Sequence, residues 1–197
     1  MEYKQLKEDA CRYVDELKSL IDDIADKLHA RPELGQEEFF ASSLLKDVLT
    51  DHGFVIDNPV ADAFPTAFHG TFGSGPFQMG FLAEYDALPK IGHGCGHNLI
   101  AAMSIGAALA FAKAAGDKAT VHIYGCPAEE TVGSKVYMSE HGVFDDLHAA
   151  VIVHPGVDKT YIGGTSYATH PLQFTIFGKN RLMSPTRSIM ASMPSMP

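Results

Sequence analysis

Between a short apolar run, Gln78 to Ala83, and an alanine-rich run, Leu99 to Ala115, lies the stretch Gly92-His93-Gly94-Cys95-Gly96-His97-Asn98. The first run reads as a buried strand. The second, closed by Gly116, reads as a helix. The chain must therefore pass from strand to helix through a glycine-rich loop that holds one thiol and two imidazoles within the five residues His93 to His97. A thiolate and a neutral imidazole suit zinc and related divalent metals. The glycines let the backbone turn sharply and approach whatever is bound. A cysteine nucleophile with a histidine base is a rival reading, with Asn98 as a weak orienting group. A glycine loop with incidental polar residues is a third. Cysteine with two histidines in so short a span is rare without a metal, so a metal wall is the expectation.

Strands and helices alternate on both sides of this loop. Apolar residues at Ala10, Val14, Leu17, Ile21, Ile24 and Leu28 give one helix over Glu8 to Leu28 with one buried face, stopped by Pro32. Glu37 to Asp51 reads as a second helix, with Gly53 as its cap. Strands are expected over Phe54 to Ile56, Thr66 to Phe72, Gln78 to Ala83, Thr120 to Tyr124 and Ala149 to Val153, the last a buried one. A short helix is expected over Ser134 to His141, and a further strand over Leu172 to Phe177. This order implies an α/β fold, a mostly parallel sheet with helices on both faces.

In such sheets ligands bind beyond the carboxyl ends of the strands. Asp86, Glu129, Glu130 and His154 all stand at or just past predicted strand ends, and Cys95 and His97 sit between a strand and a helix. The adjacent Glu129 and Glu130 can divide two tasks, one holding a metal while the other takes a proton from a metal-activated water. They equally suit an acidic helix N-terminus. Asp86 is either a carboxylate that holds a metal-ligating imidazole or a turn former ahead of Pro89. His154 is either a ligand or a satisfied residue at a strand end. His93 is near the site and shapes it. His29, His52, His69, His122, His141, His148 and His170, with Cys11 and Cys126, are expected to be structural.

A net charge of -9 without a Lys/Arg run argues against nucleic acid or an anionic membrane as partner. The polar start, Met1 to Gln5, does not resemble a signal peptide, and no 18-residue apolar segment is expected to span a bilayer. Three widely spaced cysteines make no disulfide framework. A reducing cytoplasm fits them best.

Five pieces taken together resemble a known family: His29-Ala30-Arg31-Pro32-Glu33-Leu34-Gly35, Tyr85-Asp86-Ala87-Leu88-Pro89, the loop Gly92 to Asn98, Pro127-Ala128-Glu129-Glu130, and His154-Pro155. In this order and spacing they are similar to the metal-dependent amidohydrolases of peptidase family M20. The branch they most resemble holds aminobenzoyl-glutamate hydrolase and aminoacylase-1-like dipeptidase proteins. The resemblance runs from about residue 10 to Lys179 and covers the N-terminal half of such proteins only. It implies a zinc-peptidase-like catalytic domain with two divalent metal ions, zinc, manganese or cobalt. Cys95, His97, Glu130 and His154 match metal-ligand positions, Glu129 matches the general base, and Asp86 matches the acidic residue that orients the site. Asn98 stands where other branches carry aspartate, so no role transfers to it.

The implied reaction is hydrolysis of an amide bond in a dipeptide or an N-acyl or aminobenzoyl amino acid, with a small-molecule substrate and a homodimer formed through a lid domain. In the domain organisation that follows, residues 1–168 are the N-terminal part of the catalytic domain. Residues 169–179 are the first strand of the lid, and 180–197 are a disordered tail unlike the family. Since the rest of the family's lid and its last histidine ligand have no counterpart here, the expectation is a chain truncated before the lid domain. The alternative function is a catalytically inactive metal-binding fragment or pseudoenzyme.

Overall fold

The strands divide their side chains by parity, and this parity builds the molecule. The computed structural model describes residues 3–156, 162, 169–174 and 189–194. In β4 (Ala119–Gly125), Val121 and Ile123 face one side of the sheet, and His122 and Tyr124 face the other. The first side is covered by helices α2 (Lys18–Ala30), α3 (Phe39–Asp51) and α4 (His97–Ala115). It forms the main core, with Ile24, Leu28, Leu45, Leu49, Phe68, Phe81 and Ile105 buried. Each such side chain contributes roughly 1.5–3 kcal/mol by leaving water. The second side packs Tyr124 and Cys126 against Val60, Phe64 and Met138, the last from α5 (Ser134–Glu140). Helices thus lie on both faces, as expected.

The remaining strands are β1 (Val55–Asp57), β2 (Phe68–Phe72), β3 (Phe77–Ala83) and β5 (Ala149–Val151), in the order β1-β2-β4-β3-β5. The β3–β4 and β3–β5 pairs are parallel, and β1–β2 and β2–β4 are antiparallel. The sheet is therefore mixed, with its parallel half carrying the site. Ala83 is level with Gly125 in the β3–β4 register, so the segments that follow, Glu84–Asp86 and Cys126–Glu130, leave the sheet side by side. The Cys126 N–H donates to the Ala83 carbonyl at 2.8 Å and extends the pairing one step.

Several expectations are corrected. The helix predicted over Glu8 to Leu28 is broken at Leu17 into α1 (Tyr3–Glu16) and α2. Its buried face exists only in α2, because α1 lies on the surface with no buried residue. The strand expected to be buried over Ala149 to Val153 is a three-residue edge strand, β5, exposed at all three positions. It pairs only with β3, and nothing covers its other side among the described residues. An apolar segment of membrane-spanning length does exist: His97–Lys118 meets that measure. It is the alanine-rich core helix α4 with its short continuation, and 67% of its apolar window is buried inside the fold.

The chain divides into two compact units, Met1–Pro155 and Gly156–Pro197. In the second, β6 (Thr169–Phe174) pairs antiparallel with β7 (Ile189–Pro194). Six residues of the segment 180–197, expected to be disordered, are thus a strand. Residues 175–188 and 195–197 lie outside the described residues.

Candidate metal centre

His97 opens α4 at the mouth of the sheet and is almost wholly buried, at 1% exposure. Its position is set by Gly96, whose φ of +78° is the left-handed conformation that favours glycine. A Cβ on Gly96 would also lie 2.9 Å from Pro155 Cγ, so the loop closes on His154-Pro155 only without a side chain there. The His97 Nδ1–H donates to Asp86 Oδ1 at 2.9 Å, and the Glu130 N–H donates to Asp86 Oδ2 at 3.0 Å. One buried carboxylate therefore ties the imidazole to the Glu129-Glu130 turn. Burial alone would raise the Asp86 pKa, but the bonds from His97 and from the Glu130 backbone outweigh it and hold the pKa below the ordinary value.

With Nδ1 committed to Asp86, the other ring nitrogen faces inward. His97 Nε2 is buried and has no hydrogen-bond partner among the described residues. Around it stand Glu84 Oε2 at 3.4 Å, Glu130 Oε1 at 3.6 Å and Glu129 Oε2 at 3.8 Å. A nitrogen lone pair ringed by three carboxylates needs positive charge in the gap. Burial would lower the His97 pKa, yet Asp86 and the neighbouring carboxylates raise it overall. A divalent cation meets the same need, and the donors present fit one.

Among the described residues, two sets of three bring their ligand atoms within 4.8 Å of one another inside each set: Cys95, His97 and Glu130, and Glu84, His97 and His154. Cys95, His97, Glu130 and His154, the four residues matched to ligand positions, are thus drawn to one place. The His154 ring meets the His97 ring edge-on at 6.1 Å between centroids. The His154 Nδ1–H donates to the Pro155 carbonyl at 2.8 Å, which leaves Nε2 free. The Cys95 thiol is pushed up to about 11, first by the Glu130 carboxylate beside it and then by burial. A cysteine nucleophile needs the opposite shift. The Glu129 carboxyl is raised by burial, which Lys135 opposes and Glu84 and Glu130 reinforce.

The site rests on three acids to which the sequence alone gave no role. Glu38, fully buried, accepts from the Ala128 N–H at 2.7 Å and from the Thr66 hydroxyl at 2.8 Å. It holds Ala128 at a φ of +56°, a strained value for a residue other than glycine, and so aims Glu129 and Glu130. Glu33 accepts from the N–H groups of Phe40 and Ala41 at the start of α3, while its own carbonyl accepts from Ala87 at 2.8 Å. Glu84 stands two residues before Asp86 on an extended segment, and that spacing was the one available signal. Other candidates are structural. Asn98 donates to the Ala25 carbonyl at 3.2 Å, tying α4 to α2, and His93 Nε2 bonds the Leu28 carbonyl at 3.1 Å.

No protein-family model matches the sequence. Individual relatives do. The chain is 38% identical over 153 residues to a subunit of the p-aminobenzoyl-glutamate hydrolase of Escherichia coli (strain K12), covering 68% of this chain and 32% of that protein. It is 32% identical over 198 residues to the Xaa-Arg dipeptidase of Mus musculus, covering 90% of this chain and 44% of that protein. Among solved structures, the YXEP protein of Bacillus subtilis, a dinuclear metal binding peptidase of the M20 family, superposes with a TM-score of 0.59 at 23% identity, over 69% of this chain and 42% of that one. The chain is thus similar to part of the length of these hydrolases, and its fold is that of a solved M20 peptidase.

The M20 likeness was carried by five short pieces, and the fold shows why they travel together. Gly35 of the first lies so close to the Pro127–Glu130 turn that a Cβ there would sit 3.1 Å from Ala128 Cα. The chain nonetheless spans less than half the length of the two curated relatives it matches, 32% and 44%.

Proposed function

We propose that this chain is the metal-holding part of an M20 amidohydrolase that cleaves the amide bond of a dipeptide or of an N-acyl or aminobenzoyl amino acid. One observation carries the reading: the unpartnered His97 Nε2, ringed by carboxylates, with Cys95 and His154 alongside. The names of the relatives supply the substrate class, p-aminobenzoyl-glutamate or a dipeptide ending in arginine. Divalent cations held by Cys95, His97, Glu130 and His154 would polarise the amide carbonyl and acidify a water. Asp86 fixes the His97 tautomer and ring plane. Glu129, with its raised pKa, takes the proton from water and returns it to the leaving amine. Zinc, manganese and cobalt all suit this donor set.

The domain reading belongs to the same proposal. Residues 1–168 form the N-terminal part of the catalytic domain, 169–179 enter the lid through which two copies pair, and 180–197 depart from the family. Three free cysteines favour the cytoplasm. A second reading, a metal-binding chain without turnover, is favoured by the two ligand groups sharing His97, since one imidazole nitrogen does not serve two cations at once.

The test is hydrolysis of p-aminobenzoyl-glutamate and of Xaa-Arg dipeptides by chelator-stripped protein before and after zinc, manganese or cobalt is restored. The proposal expects activity only with metal, reduced about 10²–10⁴-fold in Glu129→Ala while bound metal is retained. Metal bound without turnover selects the second reading. Turnover that survives chelator and dies with a thiol alkylator contradicts both.

A further inference from the structure

Asp86 and Glu84 project to the same side of the segment that follows β3, and they bracket the His97 ring. Asp86 takes Nδ1 at 2.9 Å, and Glu84 Oε2 stands 3.4 Å from Nε2. Glu84 is buried, at 3% exposure, where an ionised carboxylate is costly unless paired. Lys135, in the first turn of α5, pairs with its Oε1. That pair leaves Oε2 uncovered: Glu84 Oε2 and His97 Nε2 are both buried, and neither has a hydrogen-bond partner among the described residues. Two acceptors thus face each other across a gap that His154 also reaches, its ligand atom within 4.8 Å of both.

We propose that Glu84 is a further cation-holding carboxylate of this centre, on the His154 side of His97, and that Lys135 is the counter-charge that tempers it. The inference rests on the metal reading above and extends it. His97 Nε2 has one lone pair and can serve one cation at a time. Cys95 and Glu130 give their side of His97 anionic donors, whereas His154 alone gives its side none. Glu84 supplies that charge. The ammonium of Lys135, paired with the other oxygen, offsets part of the Glu84 charge and so weakens its pull on a cation. A purely structural Glu84–Lys135 pair has no need of an unpaired oxygen aimed at an unpaired imidazole.

Cobalt(II) titration of the metal-free protein separates the two sides. The thiolate–cobalt absorption band reports the Cys95 side, and chelator competition reports every equivalent bound. The expected result is that Glu84→Gln keeps the thiolate band while an equivalent not linked to it weakens at least tenfold. Lys135→Met should tighten that same equivalent several-fold, a gain that loss of a structural contact does not produce. A folded Glu84→Gln that binds cobalt as the wild type does, or that loses both sides equally, overturns the proposal. So does Lys135→Met with unchanged or weaker binding, which decides the matter if Glu84→Gln fails to fold by circular dichroism. A wild type holding one equivalent, at Cys95 and insensitive to Glu84→Gln, overturns this inference and leaves the metal reading standing. A wild type that binds no cobalt overturns both.

Discussion

Cys95 is a protonated thiol in the metal-free site, because Glu130 and burial push it up to about 11. Its alkylation by iodoacetamide should therefore be slow at pH 7 and rise about tenfold per pH unit from pH 7 to 9, following the thiolate fraction. Mass spectrometry of the Cys95 peptide measures this. Exposed Cys11 should react alongside it, and Cys126, fully buried with its pKa raised to about 12, should not. A Cys95 rate that is already level at neutral pH would revive the nucleophile reading. Asp86 acts through His97. Asp86→Asn can present its amide N–H to the ring, which turns the imidazole toward the wrong tautomer. Zinc affinity should fall about 10–100-fold, as for losses of carboxylates that hold ligating histidines. Competition with a colorimetric chelator reads it, and an unchanged affinity would show that Asp86 shapes only the turn.

At the scale of elements, the loop from Gly92 to Asn98 works because the helix starts inside it. Gly96→Ala puts a Cβ on a left-handed residue, at roughly 1–2 kcal/mol, and drives it into Pro155. Urea denaturation should show at least that loss, and the displaced His154 should weaken metal binding in the same variant. Unchanged metal affinity would mean that His154 does not depend on this contact. The α/β elements were legible because apolar periodicity is local: α3, β3 and α4 lie within a few residues of their predicted places. Three features were not legible, each for a reason of tertiary structure. The apolar spacing continues through Leu17, so the break between α1 and α2 leaves no mark in it. Strand direction is not encoded in alternation, so the antiparallel half of the sheet was hidden. Whether Ala149–Val151 is buried depends on what lies beyond it, not on its own residues. In the candidate site, Asp86, Cys95, His97, Glu130 and His154, read from short motifs, lie together, while Glu84 and Glu38 were given no role because isolated acids look like surface residues until the fold buries them.

For the whole molecule, sheet, helices and turns converge on one charged gap, and a cation that fills it should stabilise the fold. At a free concentration of one hundred times the Kd, binding adds about 2.7 kcal/mol. Since Cys95 must lose its proton to ligate, affinity should strengthen as pH rises from 6 to 8, and the zinc-dependent rise in Tm should grow with it. A Tm increase independent of pH would remove the thiolate from the ligand set. The central claim is that Cys95, His97 and Glu130 together hold a divalent metal, and X-ray absorption at the zinc edge of the zinc-loaded protein tests it most directly. The proposed ligand set predicts one sulfur scatterer at about 2.3 Å beside nitrogen and oxygen at about 2.0–2.2 Å, with the sulfur lost in Cys95→Ser. A shell of nitrogen and oxygen alone in the wild-type protein would contradict it.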